Sequence, residues 1–380
     1  LDGLRDWQIG GIQMKGPGIP GPFRSSLAAL RPFDHGPTDE EAREFSGRRD
    51  IVNLASNENA YGPSPHVIEA VTAAAAKGWI YPDSRCAALR MEIAAGLEVS
   101  PDRLVFAAGA ETLLEFITRA TLSPGASVLI SPPTFPIYGN NARVLDARIV
   151  GVPRRADFTI DRDAMIAAAN DTVRIVFLCN PDNPTGTTVP VADITAIARA
   201  MGPNCLVVLD EAYQEFADHE HPRATIDALD QAGACYFILR TFSKAFALGG
   251  YRVGYGIAGT AETAQALDLV RTQFSVNTLA QSAAIAAWRD RTHLAAVINA
   301  TRAARDAMAA EIRGFGFTIP KSAANFIYLS LPRGSHALYT HLLRAGIITR
   351  PVADIGLRVT VGQPEQNERF LTALEPRFAV

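Results

Sequence analysis

Short, almost wholly apolar runs alternate with alanine-rich helical stretches from Val67 onward. That alternation predicts an α/β fold, a three-layer α/β/α arrangement around a mostly parallel sheet covered on both faces. After about Ala283 the pattern changes to a long helical stretch followed by isolated strands, which predicts a second, smaller α+β domain. With 380 residues, 48% of them hydrophobic and 20% charged, the chain can bury a core in each. The expected division is 1–50 as an N-terminal arm with part of the small domain, 51–285 as the large domain and 286–380 as the C-terminal small domain.

The elements follow in order. Gly16 to Pro22 holds three glycines and three prolines, which resists helix and strand alike. The charged stretch Asp39 to Asp50 reads as a short solvated helix. β-Branched and apolar runs predict strands at Arg103–Ala107, Ser127–Ser131, Ala147–Val152, Val173–Cys179, Leu206–Leu209, Tyr236–Leu239 and Val253–Ile257. Helical spacing between them predicts Val67–Ala76, Glu111–Ala120, part of Phe135–Val144, Arg162–Ala169 and Val191–Ala200. Beyond these, a helical run through Ile312 precedes strands at Asn325–Leu331 and Leu357–Val361, with a helix near Ser335–Ala345 between them.

Charge and cysteine content exclude some functions. A net charge of −3 and a pI near 6.2 give no long-range attraction to nucleic acid or to an anionic membrane. No apolar run reaches bilayer length and no charged-then-apolar signal opens the chain, so a cytoplasmic enzyme is expected. Cys86, Cys179, Cys205 and Cys235 show no paired spacing and read as reduced thiols.

Ligands of open parallel sheets bind beyond the carboxyl ends of the strands, and polar clusters recur there. Gly109-Ala110-Glu111 follows the first strand, at a helix start whose N–H groups and dipole suit a phosphate; a plain helix cap is the alternative. Pro132-Pro133-Thr134-Phe135 follows the second, where Phe135 either stacks on a flat ligand or joins the core. Asn180 to Gly186 follows the fourth, and Asn183 either hydrogen-bonds a ligand or shapes a turn. Asp210-Glu211-Ala212-Tyr213 follows the fifth. Asp210 comes after four apolar residues, so its carboxylate needs a donor or a cation, whether a pyridinium nitrogen or a structural arginine. Tyr213 can bond a phenolic oxygen or hold a turn. The sixth strand leads into Thr241-Phe242-Ser243-Lys244, with Arg252 close behind: an amine for a Schiff base beside two hydroxyls and a guanidinium for a phosphate. A surface lysine is the blander reading.

Two other motifs carry less. Gly254 to Gly259 matches G-x-G-x-x-G, but its glycines fall inside a predicted strand and no early βαβ unit surrounds them. His219-Glu220-His221 lacks a third metal ligand, so no metal site is expected.

Taken together, Asn183 in Asn-Pro-Thr-Gly, Asp210 with Tyr213, Ser243-Lys244 and Arg252 make the chain resemble the fold-type I, aspartate-aminotransferase-like enzymes that use pyridoxal 5′-phosphate. The resemblance runs from about Ile51 to the C-terminus. Leu54 to Asn59, Tyr81-Pro82-Asp83 and Leu357 to Gly362 are similar to the histidinol-phosphate aminotransferase branch. It implies that Lys244 carries the cofactor and, once freed, acts as the general base. Asp210 would keep the ring nitrogen protonated, Asn183 and Tyr213 would bond the ring's 3′ oxygen, and Phe135 would stack on its face. The Ala110 and Glu111 amides, Thr241, Ser243 and Arg252 would bind the phosphate, and Arg252 would help lower the Lys244 pKa. Tyr81 would reach the cofactor and substrate of a second subunit, making a homodimer with shared sites. Arg358 and Arg350, with Asn183, would hold the substrate, an amino donor or a 2-oxo acid acceptor.

Three places depart from that branch. The segment from Arg350 to Arg358 is short, Ala60 stands where proline is common, and the Pro/Gly-rich N-terminal stretch is long. Histidinol phosphate with 2-oxoglutarate is the first substrate expectation. An aromatic amino acid aminotransferase, or a decarboxylase or lyase on the same fold, stands beside it. A transcriptional regulator would need a basic helical segment that residues 1–50 do not supply.

Overall fold

The computed structural model describes residues 21–30, 35–217 and 223–378. The His219-Glu220-His221 motif and most of the Gly16 to Pro22 stretch lie outside the described residues.

β1 (Val52–Asn53) opens the chain's sheets, and β2 (Leu104–Ala107), β3 (Ser127–Ile130), β4 (Arg148–Gly151), β5 (Val173–Cys179), β6 (Leu206–Asp210), β7 (Tyr236–Thr241) and β8 (Gly254–Ala258) follow. The last seven form one sheet in the order β2-β8-β7-β6-β5-β3-β4. Neighbours from β4 through β7 are parallel, whereas β8 runs against both β7 and β2. The near-continuous apolar strands have a simple cause. Val207, Leu209 and Ile238 belong to one buried cluster and Val208, Phe237 and Leu239 to another, so helices cover both faces.

Three more strands, β9 (Phe326–Ser330), β11 (Arg350–Val352) and β12 (Gly356–Thr360), form an antiparallel sheet in the order β11-β12-β9. Between β9 and β11 in the chain, β10 (Ile347–Ile348) pairs with β1 in parallel. A third core joins Ala42, Val52 and Leu54 to Met308, Ile312, Leu338, Leu342, Val359 and Phe370.

Expected and observed elements differ in instructive places. The charged stretch is helical only over Asp39–Ser46, started by a capping box in which Thr38 and Glu41 satisfy each other's backbone and stopped by Gly47 at φ 70°. A helix at Ala87–Leu97 was not expected. The run through Ile312 is two helices, Thr278–Arg289 and Arg291–Gly314, broken at Asp290. Asp290 caps the second through the His293 N–H and also accepts the Ser64 hydroxyl at 2.5 Å. β7 extends two residues further than its apolar run because Arg240 is neutralised by Glu211 at 2.7 Å inside the core. β1, β10 and β11 are two or three residues long, too short for a period to show.

The glycines of the G-x-G-x-x-G match serve packing. A Cβ on Gly254 would come within 2.7 Å of the Ala110 nitrogen, and one on Gly256 would overlap the Phe237 ring. Gly256→Ala is therefore expected to cost about 1–3 kcal/mol, read from the denaturant midpoint. An unchanged midpoint would show that the sheet does not need this close approach.

Candidate active site

The carboxyl ends of β2, β3, β5, β6 and β7 bring their polar clusters together. Asp210, the last residue of β6, is buried. Its Oδ1 accepts the Ala212 N–H at 3.0 Å and its Oδ2 accepts the Tyr138 hydroxyl at 2.6 Å. Burial raises its carboxyl above the ordinary range, Asp182 and Glu211 add to the rise, and the two donated hydrogen bonds oppose it. The site therefore calls for a cationic partner at Asp210.

Lys244 lies in the loop after β7, half-buried, with its Nζ donating to the Ser56 carbonyl at 3.0 Å and 5.7 Å from the centre of the Tyr213 ring. Its pKa is lowered to about 7. Burial is the first cause and the Arg358 guanidinium the second; Glu58 opposes them, and Arg252 adds a smaller push. Arg252 was expected to help lower this pKa, and it does. Arg358 outweighs it, because β12 delivers a buried cation to the amine from a distant part of the chain.

Arg358 donates through Nη1 to Asn183 Oδ1 at 2.7 Å and through Nη2 to the Ala55 carbonyl at 2.6 Å, while its buried Nε has no partner among the described residues. Burial lowers its own pKa to about 10. Arg350 sits directly across the β11–β12 pair from Arg358, so the two side chains share a face. Arg350 also donates to the His35 carbonyl at 2.9 Å. Tyr213 is buried and its hydroxyl accepts the Asn57 amide at 3.0 Å.

At the other end, Gly109 takes φ 93° immediately before the Ala110–Thr121 helix. A Cβ there would come within 2.7 Å of an Arg252 guanidinium nitrogen. The guanidinium thus rests against the positive end of a helix dipole, an arrangement that suits an anion between them. Thr241 and Ser243 are joined by a 3.0 Å hydroxyl–hydroxyl bond, and Glu111 is exposed in the first helical turn. Phe135 is half-buried and meets Tyr138 edge-on.

The family model for class I and II aminotransferases matches residues 49–374. The chain belongs to this family. The aminotransferase is 42% identical to histidinol-phosphate aminotransferase 2 of Caulobacter vibrioides, over 93% of each chain. It is 37% identical to the histidinol-phosphate aminotransferase of Moorella thermoacetica, over 94% of this chain and 93% of that one. Among solved structures, it resembles the histidinol-phosphate aminotransferase of Sinorhizobium meliloti in complex with pyridoxal 5′-phosphate. That match has a TM-score of 0.85 at 29% identity, covering 95% of this chain and 98% of the other.

Tyr81 stands apart from the groups described above, 80% exposed with its ring stacked on Phe274 at 4.8 Å. Three residues given no task by the sequence hold the groups described here or their neighbours: Asn57 bonds Tyr213, Tyr138 bonds Asp210, and Arg154 pairs with Asp182. Asn57 lies within the Leu54–Asn59 motif, so a signal existed. Tyr138 read as a helix of uncertain extent. Arg154 gave no local signal, yet it pairs with Asp182 at 2.6 Å with both side chains buried. It also donates to the carbonyls of Ser131, Pro133 and Phe158, and Thr134 and Thr185 donate to Asp182. Among the described residues, no group of three or more His, Cys, Asp and Glu can hold a metal ion.

Asp182→Ala would leave the Arg154 charge buried without its counter-ion. A loss of about 3–5 kcal/mol is expected, measured by chemical denaturation of the apoprotein. Replacing both partners with apolar residues of similar volume should cost less than the single change; the reverse order would refute a role for the pair's mutual neutralisation.

Proposed function

We propose that this aminotransferase moves the amino group of histidinol phosphate to 2-oxoglutarate, giving imidazole acetol phosphate and glutamate, as a cytoplasmic homodimer with shared sites. The observation that carries the substrate reading is the Arg350–Arg358 pair. Two guanidiniums on one face, one with a buried N–H left over, suit a phosphate in one half-reaction and a carboxylate in the other.

The cofactor is pyridoxal 5′-phosphate, and the residues present fit it. Asp210 is a carboxylate whose pKa is raised by burial, and a protonated ring nitrogen would give it a cationic partner. Gly109, the Ala110 and Glu111 amides, Thr241, Ser243 and Arg252 form a phosphate cradle that a Cβ at position 109 would fill. Lys244 supplies the amine, Phe135 a flat apolar surface, and Asn183 and Tyr213 donors for the ring's 3′ oxygen.

When bound, the cofactor supplies an electron sink for charge left at the substrate carbon. The protein's part is to place protons and anions. Lys244 Nζ, neutral above about pH 7, takes the proton from the amine-bearing carbon of the substrate. Asp210 holds a proton on the ring nitrogen. Asn57 donates to Tyr213 Oη, which leaves the tyrosine's own proton for the 3′ oxygen. Arg358 ties this arrangement to substrate, because the same guanidinium that awaits an anion also orients Asn183 and depresses Lys244.

A second copy of the chain suits the exposed apolar surface at Trp79, Ile80, Tyr81 and Phe274, from which Tyr81 would reach the neighbouring site. Four unpaired cysteines suit a reducing compartment. No helix among the described residues is long and apolar enough to cross a membrane.

Lys244→Ala is expected to abolish turnover with the circular dichroism spectrum retained; near-normal transamination by that variant would overturn the cofactor assignment. For the apoprotein, the rate of cofactor uptake should rise as pH passes through about 7 and level off above, because only the neutral amine reacts. A rise centred near the ordinary lysine value would contradict the lowered pKa. Arg350→Ala should weaken use of phosphorylated amines by roughly 10-fold or more and spare phenylalanine. Equal losses on both would remove its role as a phosphate anchor.

A further inference from the structure

The Tyr138 hydroxyl has no task in the scheme above. Tyr138 is 0% exposed, and a phenylalanine would fill the same space, so the hydroxyl needs its own reason. That hydroxyl donates to Asp210 Oδ2 at 2.6 Å. The ring that carries it is clamped. It stacks on Phe177 with centroids 4.6 Å apart and planes 5° from parallel, and it meets Phe135 edge-on at 5.6 Å. Phe135 caps the Pro136–Val144 helix and Tyr138 lies within its first turn, so the surface for the cofactor ring and the donor to Asp210 are one rigid unit. Around Asp210 the other influences favour a neutral acid: burial first, then the nearby Asp182 and Glu211 carboxylates. Two donors oppose them, the Ala212 N–H and the Tyr138 hydroxyl.

We infer that Tyr138 is a positioning residue that keeps the Asp210 carboxylate charged and aimed, so that the shared proton stays on the cofactor's ring nitrogen. The inference rests on the reading of Asp210 as the partner of that nitrogen. A hydrogen bond donated to the charged carboxylate makes it a weaker base. Without the hydroxyl, the proton moves from the ring nitrogen to Oδ2 and no other bond changes. The nitrogen becomes neutral, and charge left at the substrate carbon is less well accommodated.

The test is Tyr138→Phe in the holoenzyme reconstituted with pyridoxal 5′-phosphate labelled with ¹⁵N at the ring. In the unaltered enzyme the nitrogen should resonate at the protonated position. In the variant it should move downfield toward the unprotonated position, with kcat reduced roughly 10- to 100-fold and KM little changed. The melting temperature of the holoenzyme should stay close to that of the unaltered enzyme, since the ring packing is kept. A protonated nitrogen in both proteins would overturn the inference and leave the Asp210 reading standing. An unprotonated nitrogen in the unaltered enzyme would instead defeat the Asp210 reading itself. A variant that no longer retains cofactor would contradict a role confined to the proton.

Discussion

A buried ion pair assigned no contact with cofactor or substrate holds the site in register. Arg154 and Asp182 meet at 2.6 Å, and the five polar partners named around them are drawn from three separate loops. Arg154 fixes the carbonyls of Ser131 and Pro133, and so the approach to Phe135. Asp182 fixes the turn that presents Asn183, and Asn183 accepts from Arg358 on the smaller sheet. Thus one paired charge ties together the residues proposed as ring-stacking surface (Phe135), donor to the 3′ oxygen (Asn183) and substrate arginine (Arg358). Such a pair adds little stability over an apolar substitute but is costly to break, which suits an element whose task is geometry.

The electrostatics share one logic. Burial pushes each site group toward its neutral form: Asp210 upward, Lys244 down to about 7 and Arg358 down to about 10. For Lys244 that is useful, because a free amine is what the chemistry needs at neutral pH. In the proposed scheme Asp210 has to stay charged, and the Ala212 N–H and the Tyr138 hydroxyl donate to it. Cofactor and substrate would, in the same scheme, bring the counter-charges: a cationic ring nitrogen for Asp210, and anions for Arg252 and Arg358.

Much of the fold was legible because both sheet faces are buried, so the strands read as apolar runs bounded by polar residues. The site was legible for a related reason, since clusters such as Asn180–Gly186 and Thr241–Lys244 are dense and local. What escaped depends on distance or brevity. The Tyr138–Asp210 bond joins residues 72 apart, and Arg358 reaches Asn183 across 175. Sequence proximity pointed to Arg252, which does help lower the Lys244 pKa, but gave no sign of the larger push from Arg358, which chain folding brings to the amine. The helix break at Asp290 was missed because alanine-rich composition continues on both sides, although Asp290 with His293 three residues on carries a cap signal. Strands as short as β10 and β11 exist only because β1 and β12 are there to pair with them.

The most direct test of the account is a single half-reaction on the cofactor-loaded enzyme. Histidinol phosphate, phenylalanine and glutamate would each be added alone while the visible absorbance of the lysine-bound cofactor is followed. Rapid bleaching with histidinol phosphate and with glutamate, and only slow change with phenylalanine, is the predicted result. Fast bleaching with phenylalanine and none with histidinol phosphate would contradict an anion site built from Arg350 and Arg358 for a phosphorylated amine.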